Sequence, residues 1–352
     1  MTRKILIAGI LVIVALLLAQ PVTAYMSITG PTVITSPGQY VLKKNIVTNS
    51  VNNTIDIRSS DVLFDGMGHT IDGKNGASEL TNDIWVGVSN TFLHNITVKN
   101  VTLKNRSHGI MFRNVTASHV INCVIVQSGQ DGIRVAGGYR ITLTNNTIRN
   151  SSIRGITLTA SYNNTVSNNT ITNNLYGLRI SEGSSNNTIY NNYFKNAWNL
   201  IPVSTVNTWN IKKTKGNNVV GGPYVGGNYW STYAGSDTDK DGIGNTKIPF
   251  TALGNISSGG DRLPLISIGF TSIMPVSGPK AGGTKITIKG ARFLSGGSFG
   301  VKIGSKAATN VVRVNATTIT AKTPSGSAGA KNVVVTNNDG QSATRAGGFT
   351  YL

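Results

Sequence analysis

Asn145-Asn-Thr-Ile148 and Asn168-Asn-Thr-Ile171 decide the fold. The two stretches stand 23 residues apart, and related stretches continue the series on both sides. Asn100-Val-Thr-Leu103 and Asn122-Cys-Val-Ile125 precede them, and Asn191-Asn-Tyr-Phe194 follows, at spacings of 22 or 23. A second marker keeps the same period: Gly109-Ile, Gly132-Ile, Gly155-Ile and Gly177-Leu are spaced by 23, 23 and 22 residues. Each period holds short β-rich stretches separated by Asn, Ser and Gly, with no helical periodicity and no room for a helix. A repeat of this length built from short strands predicts one coil of a parallel β-helix per period.

Stacked coils bring equivalent positions into columns. Val98, Val120, Leu143, Val166 and Ile189 form one apolar column, and Leu103, Ile125, Ile148, Ile171 and Phe194 form another. Both are expected to face the core. Asn100, Asn122, Asn145, Asn168 and Asn191 are expected to form an Asn ladder at a bend, because Asn tolerates left-handed backbone angles and its amide can bond the next coil. Residues 28–50 are expected to cap the N-terminal end.

Composition restricts the function. The 352 residues carry 32 Lys+Arg against 13 Asp+Glu, a formal charge of +19 that reflects scarce acids. Such a balance favours an anionic partner. The single Cys123 excludes an internal disulfide framework. Arg3 and Lys4 lead into an apolar run over 5–19, and Val22-Thr-Ala24 offers a cleavage site. Residues 1–24 therefore read as a signal peptide, which places the mature chain outside the cell or on its surface. The only membrane attachment expected is through that segment left uncleaved.

The Asn-Asn-Thr-Ile repeats and the segment Asp65-Gly-Met-Gly-His-Thr-Ile-Asp-Gly73 resemble NosD-type right-handed β-helices, a carbohydrate-binding and sugar-hydrolase group related to pectate lyases. Gly226-Gly-Asn-Tyr-Trp-Ser231 and the Asp237–Asn245 loop are similar to a segment common in archaeal surface members. This resemblance covers about 28–265, within a β-helix domain read over 25–267. From 268 to 352 the pattern changes. Short strands such as Lys285-Ile-Thr-Ile288 and Lys331-Asn-Val-Val-Val335 alternate with turn signals. Their order resembles an IPT/TIG immunoglobulin-like domain. The expected class is all-β: a right-handed parallel β-helix followed by an immunoglobulin-like β-sandwich.

Candidate sites follow from the columns. Position two after the repeat glycine gives Met111, Arg134, Thr157 and Arg179, and the position before it gives His108, Asp131, Arg154 and Tyr176. Facing outward, Arg134, Arg154, Tyr176 and Arg179 make a basic patch with one ring. That chemistry suits an acidic polysaccharide or envelope glycan, since guanidinium pairs with carboxylate and the ring stacks on sugar. The coils from 95 to 199 hold only Asp131 and Glu182 as acids, so the usual carboxylate pair of a glycosidase is missing there. The expected role is therefore binding without catalysis. The alternative is a polysaccharide lyase or hydrolase using the acids of 55–85, namely Asp56, Asp61, Asp65, Asp72, Glu79 and Asp83. Asp237, Asp239, Asp241 and Asn245 begin like a calcium loop, with Gly242 at position six, and predict a structural Ca²⁺. Ile248 stands where an EF-hand needs its bidentate Glu.

Two further readings rank lower. NosD-type proteins assist copper-site maturation, but His69, His94, His108 and His119 show no metal-ligand spacing, and Met67-Gly-His69 is the one close pair. Lys212, Lys213 and Lys215 would attract nucleic acid but lack interleaved aromatics.

Overall fold

A computed structural model describes residues 25–49, 52–76, 81–239, 241–293, 299–338 and 341–352. The segment read as a signal peptide lies outside these residues, as does Glu79. Among the described residues, no helix is long and apolar enough to cross a membrane.

Three parallel sheets of eight strands wrap one core. The first runs from Met26–Ile28 to Thr188–Tyr190, the second from Ile46–Val47 to Tyr229–Trp230, and the third from Thr32–Ile34 to Trp198–Leu200. Each coil gives one strand to each sheet. Both apolar columns form as expected. Val98, Val120, Leu143, Val166 and Ile189 pair in register, as do Leu103, Ile125, Ile148, Ile171 and Phe194, and all ten are fully buried. A column of this kind excludes water over its whole length, which is the main stabilising term of a solenoid.

The Asn pairs divide two tasks between them. The first Asn takes the left-handed turn, with φ of 57° at Asn145 and 58° at Asn168. The second Asn points inward and builds the ladder. The Asn146 side chain donates to Asn169 Oδ1 at 3.0 Å, Asn169 to Asn192 at 2.9 Å, and Asn192 to Asn228 at 2.9 Å. Each Oδ1 also accepts the backbone N–H of the preceding coil, as Asn146 does from Cys123 at 2.9 Å. The continuous ladder therefore sits one residue later than the sequence suggested; in the expected column, Asn191 donates to Asn168. The inward amide can satisfy buried backbone groups at the bend, which an outward one cannot. Residues 26–47 also differ from the expected cap: they form four short strands in register with the coils that follow.

Aromatic rings close the other end. Trp230 stacks on Phe194 at 4.6 Å and leans on Trp209 and Phe250. Asp261 terminates the ladder there. Its Oδ2 accepts from Asn228 N at 2.7 Å and Trp230 Nε1 at 2.9 Å. Gly227 permits that approach, because a Cβ there would lie 1.9 Å from Asp261 Oδ1.

The C-terminal part is a separate two-sheet unit with its own core. A four-stranded antiparallel sheet packs on a five-stranded one, around Ile286, Ile288, Ile319, Val333, Val335 and Phe349.

Candidate functional site

The third sheet carries the outward-facing residues. The glycine of each repeat sets their direction. A Cβ on Gly132 would meet Ile148 Cγ2 at 2.3 Å and Gly155 O at 2.8 Å, so this position faces the core at close range. Ile133 beside it is also buried in the core. Two successive inward positions break the strand alternation, and the residue before the glycine turns to the outer side.

Two columns result. One reads Asn82, His108, Asp131, Arg154, Tyr176 and Trp198. The other reads Trp85, Met111, Arg134, Thr157 and Arg179. All four residues of the expected basic patch lie in these columns. They are not equivalent, however. Arg154 Nη1 donates to Asp131 Oδ1 at 2.9 Å, and that carboxylate is completely buried. Among the described residues, no acid pairs with Arg134 or Arg179 within ion-pair distance, and Arg134 Nε is buried without a hydrogen-bond partner.

A cavity of about 520 Å³ opens beside Arg134. Trp85, His108, Met111, Arg113 and Glu182 share its lining. His108 is 7% exposed, and its Nε2 lies 3.7 Å from Asp131 Oδ2. Burial pushes its pKa down; the Asp131 charge opposes this, and Arg134 and Arg154 reinforce it. The imidazole is thus neutral at pH 7. The arrangement offers an indole wall, free guanidinium groups and a polar floor, which is the chemistry of sugar and carboxylate recognition.

Trp85 escaped the sequence reading because the step from Trp85 to Met111 is 26 residues, not 23. Trp198 was accessible to it, being one further step after Tyr176. The pairing of Asp131 with Arg154 needed only adjacent coils in one column.

The described acids of 55–85 are engaged with neighbouring side chains, four of them on the next coil. Asp65 lies 3.2 Å from Lys99 Nζ and Asp72 3.1 Å from Lys104 Nζ. For both, burial works upward, but the N–H donors and the lysine beside them hold the carboxyl below its ordinary value. Asp56 binds Arg58 at 2.7 Å. Asp83 is sealed against Arg106, their side chains wholly buried, and burial raises its pKa well above the usual range. Asp61 bonds the Asn95 side chain at 2.7 Å. Asp72 is near enough to Asp83 to push its pKa further up, but Asp83 is wholly buried.

Asp237, Asp239 and Asp241 do come together, with one oxygen of each within 4.8 Å of the others. Two of them already have cations. Arg292 pairs with Asp237 and Lys213 with Asp241. Asn245 Oδ1 accepts the Thr238 N–H at 2.6 Å and so closes the loop on itself. Asp239 is raised by burial and by its two acidic neighbours.

Fold and site together define a parallel β-helix protein with one basic, aromatic-bordered face, followed in the chain by an immunoglobulin-like domain. The profile of the NosD family, described as periplasmic copper-binding protein, matches residues 25–235, and that of the IPT/TIG domain matches 270–351. The chain belongs to the NosD family and carries an IPT/TIG domain. No curated protein matches it.

Similar solved structures include the extracellular region of plexin A4 (24% identity, 26% of this chain and 9% of that one, TM-score 0.23). They also include the A-module of the Azotobacter vinelandii mannuronan C-5 epimerase AlgE4 (10%, 53% and 71%, 0.31). A third is tailspike protein 2 of Escherichia coli O157:H7 bacteriophage CAB120 (11%, 93% and 65%, 0.30). The chain thus spans less than a tenth of the plexin region it matches. At these TM-scores the likenesses carry no functional information.

The family description raises copper. Copper favours imidazole, thiolate and thioether donors. Cys123 is fully buried, and burial raises its thiol to about 12. His94 faces Asp61 and His108 faces Asp131. Among the described residues, the one gathering of three His, Cys, Asp or Glu ligands is the carboxylate trio Asp237, Asp239 and Asp241, a hard-oxygen set. The described His, Cys, Asp and Glu residues do not fit a copper centre.

Proposed function

We propose that this protein is exported and binds an acidic glycan of a cell surface or extracellular matrix along the third sheet, without catalysis. One observation carries the reading: Trp85 and two arginines, Arg113 and Arg134, line the same cavity, with Glu182 as the one acid on its wall. Arg179 continues the charge along the sheet, Tyr176 and Trp198 add rings, and Arg154 acts by holding Asp131. The basic composition supports an anionic ligand. The sequence of residues 1–24 supports export, and retention in the membrane would run through that segment alone. A structural Ca²⁺ at Asp237, Asp239, Asp241 and Asn245 is also proposed. It would have to compete with Lys213 for Asp241 and with Arg292 for Asp237.

A glycan array read beside a reducing-sugar and unsaturated-product assay tests the main reading. Salt-sensitive binding without product supports it. Product release that is lost in Asp65→Ala or Asp72→Ala would establish the enzymatic alternative instead. Preference for single-stranded DNA over every acidic glycan would replace it with nucleic-acid binding. For calcium, the expected result is a melting shift at millimolar Ca²⁺ that Asp239→Ala abolishes. No shift in the unaltered chain removes the ion from the proposal.

A further inference from the structure

We propose that the face reads an acidic polysaccharide whose carboxylates recur on alternate sugars, with the chain lying along the solenoid axis and Arg134 and Arg179 as the two readers. The inference rests on the glycan-binding reading above and names its ligand class.

The register supplies the ruler. Arg134 pairs with Thr157 and Thr157 with Arg179, so the two arginines stand in one column two coils apart. Two interstrand steps span about 9.5 Å. That is close to the length of a disaccharide in an extended β-linked glycan. The position between them is Thr157, a small neutral side chain that is 1% exposed. A carboxylate on the intermediate sugar would find no cation in this column.

The neighbouring column does not fill the gap. Arg154, on the same coil as Thr157, is the cation nearest in sequence to that gap, yet Asp131 neutralises it through the 2.9 Å bond. Asp131 is wholly buried and is flanked by His108 on the other side, so it holds the partly exposed Arg154 from beneath. Within these two columns charge therefore alternates: free at the Arg134 coil, cancelled at the Arg154 coil, free at the Arg179 coil; the exposed Arg113 and Glu182 lie outside both columns. The spacing follows from one fact, that the coils stack at a constant distance. The indole of Trp85, two steps before Arg134 in the same column, gives the glycan a neutral stacking surface at one end.

The test is titration calorimetry on the full chain with size-matched oligosaccharides. Hyaluronan carries a carboxylate on alternate sugars, polygalacturonate on every sugar, and dextran on none. Hyaluronan is expected to bind at least about tenfold more tightly than polygalacturonate, and dextran not to bind. Arg134→Ala and Arg179→Ala should each weaken hyaluronan at least about tenfold. The paired change Asp131→Asn with Arg154→Gln removes both charges of the pair while keeping hydrogen-bonding groups, and should alter affinity less than about threefold. Equal affinity for hyaluronan and polygalacturonate, or a loss in the paired variant as large as in Arg134→Ala, overturns the alternation but leaves acidic-glycan binding standing. Failure of both acidic polymers to bind overturns the glycan reading itself.

Discussion

The guanidinium of Arg292 and the carboxylate of Asp237 join the immunoglobulin-like domain to the loop that follows the last coils, with only 9% and 2% of the two side chains exposed. Gln341 completes the junction. It accepts from Arg292 and donates to Ile266 O at 2.8 Å, fully buried beside Gly222 and Gly242. A Cβ on Gly222 would meet its Nε2 at 2.4 Å. The acidic loop thus serves as a docking platform for the second domain.

Breaking this pair should be costly. Arg292→Ala leaves Asp237 buried without its cation, at a cost of about 3–5 kcal/mol. Asp237 is pushed upward by burial, but Arg292 and the Gly242 N–H outweigh that and hold its pKa below the ordinary value. A depressed carboxylate stabilises the fold above its unfolded pKa, and the contribution disappears as pH falls through the folded one. The variant should therefore have a lower urea midpoint at pH 7 and a smaller loss on acidification. An unchanged midpoint would mean the domains do not depend on this contact.

Adjacent asparagines should behave oppositely. Asn145 holds a left-handed φ of 57° and its side chain is exposed, so Asn145→Gly should change stability by less than about 0.5 kcal/mol. Asn146→Ala removes the acceptor of the Cys123 N–H and the donor to Asn169, all within the core. Orphaning buried groups at this bend should cost about 2–4 kcal/mol. Urea midpoints of the two variants provide the comparison. Similar values would show that the ladder contributes little.

Cys123 should be chemically silent. It is fully buried, its thiol approaches Ile121 O at 3.4 Å, and burial raises its pKa to about 12. Almost no thiolate exists at pH 8. Labelling by a maleimide should be absent in the native protein and complete in 6 M guanidinium. Native labelling within minutes would contradict the packing of this coil.

The period was the most legible part of the sequence. It sets columns because stacked coils cannot drift, so Val98 to Ile189 and Leu103 to Phe194 followed from counting. The two columns of the basic face followed as well, including Arg134, Arg154, Tyr176 and Arg179. What counting could not provide was the direction of each side chain. Asn145 and Asn146 have the same composition and differ only in which way the backbone turns them. Arg154 looks as free as Arg134 until Asp131 is seen beneath it. Trp85 was hidden by a coil three residues longer than its neighbours, and the partner of Asp237 lies 55 positions away in another domain.

Asp261 gives a pH dependence of the opposite sign. It is completely buried, and burial raises its pKa to about 6 although four N–H contacts from Asn228, Trp230 and Leu263 favour the ion. Its folded pKa therefore lies above the unfolded value near 3.9. Between those two values the folded state binds the extra proton, so stability falls as pH rises through about 4 to 6 and is level beyond. The contribution lost is on the order of 3 kcal/mol. Asp261→Asn carries no titrating proton, and its urea midpoint should lack this decline. The informative quantity is the difference between unaltered and variant protein at pH 4.5 and at pH 7.5, which cancels the other carboxylates. That difference should shrink toward pH 7.5, where the buried carboxylate is ionised. A difference independent of pH would show that Asp261 is ionised across the whole range, held by the Asn228 and Trp230 donors more strongly than burial opposes it.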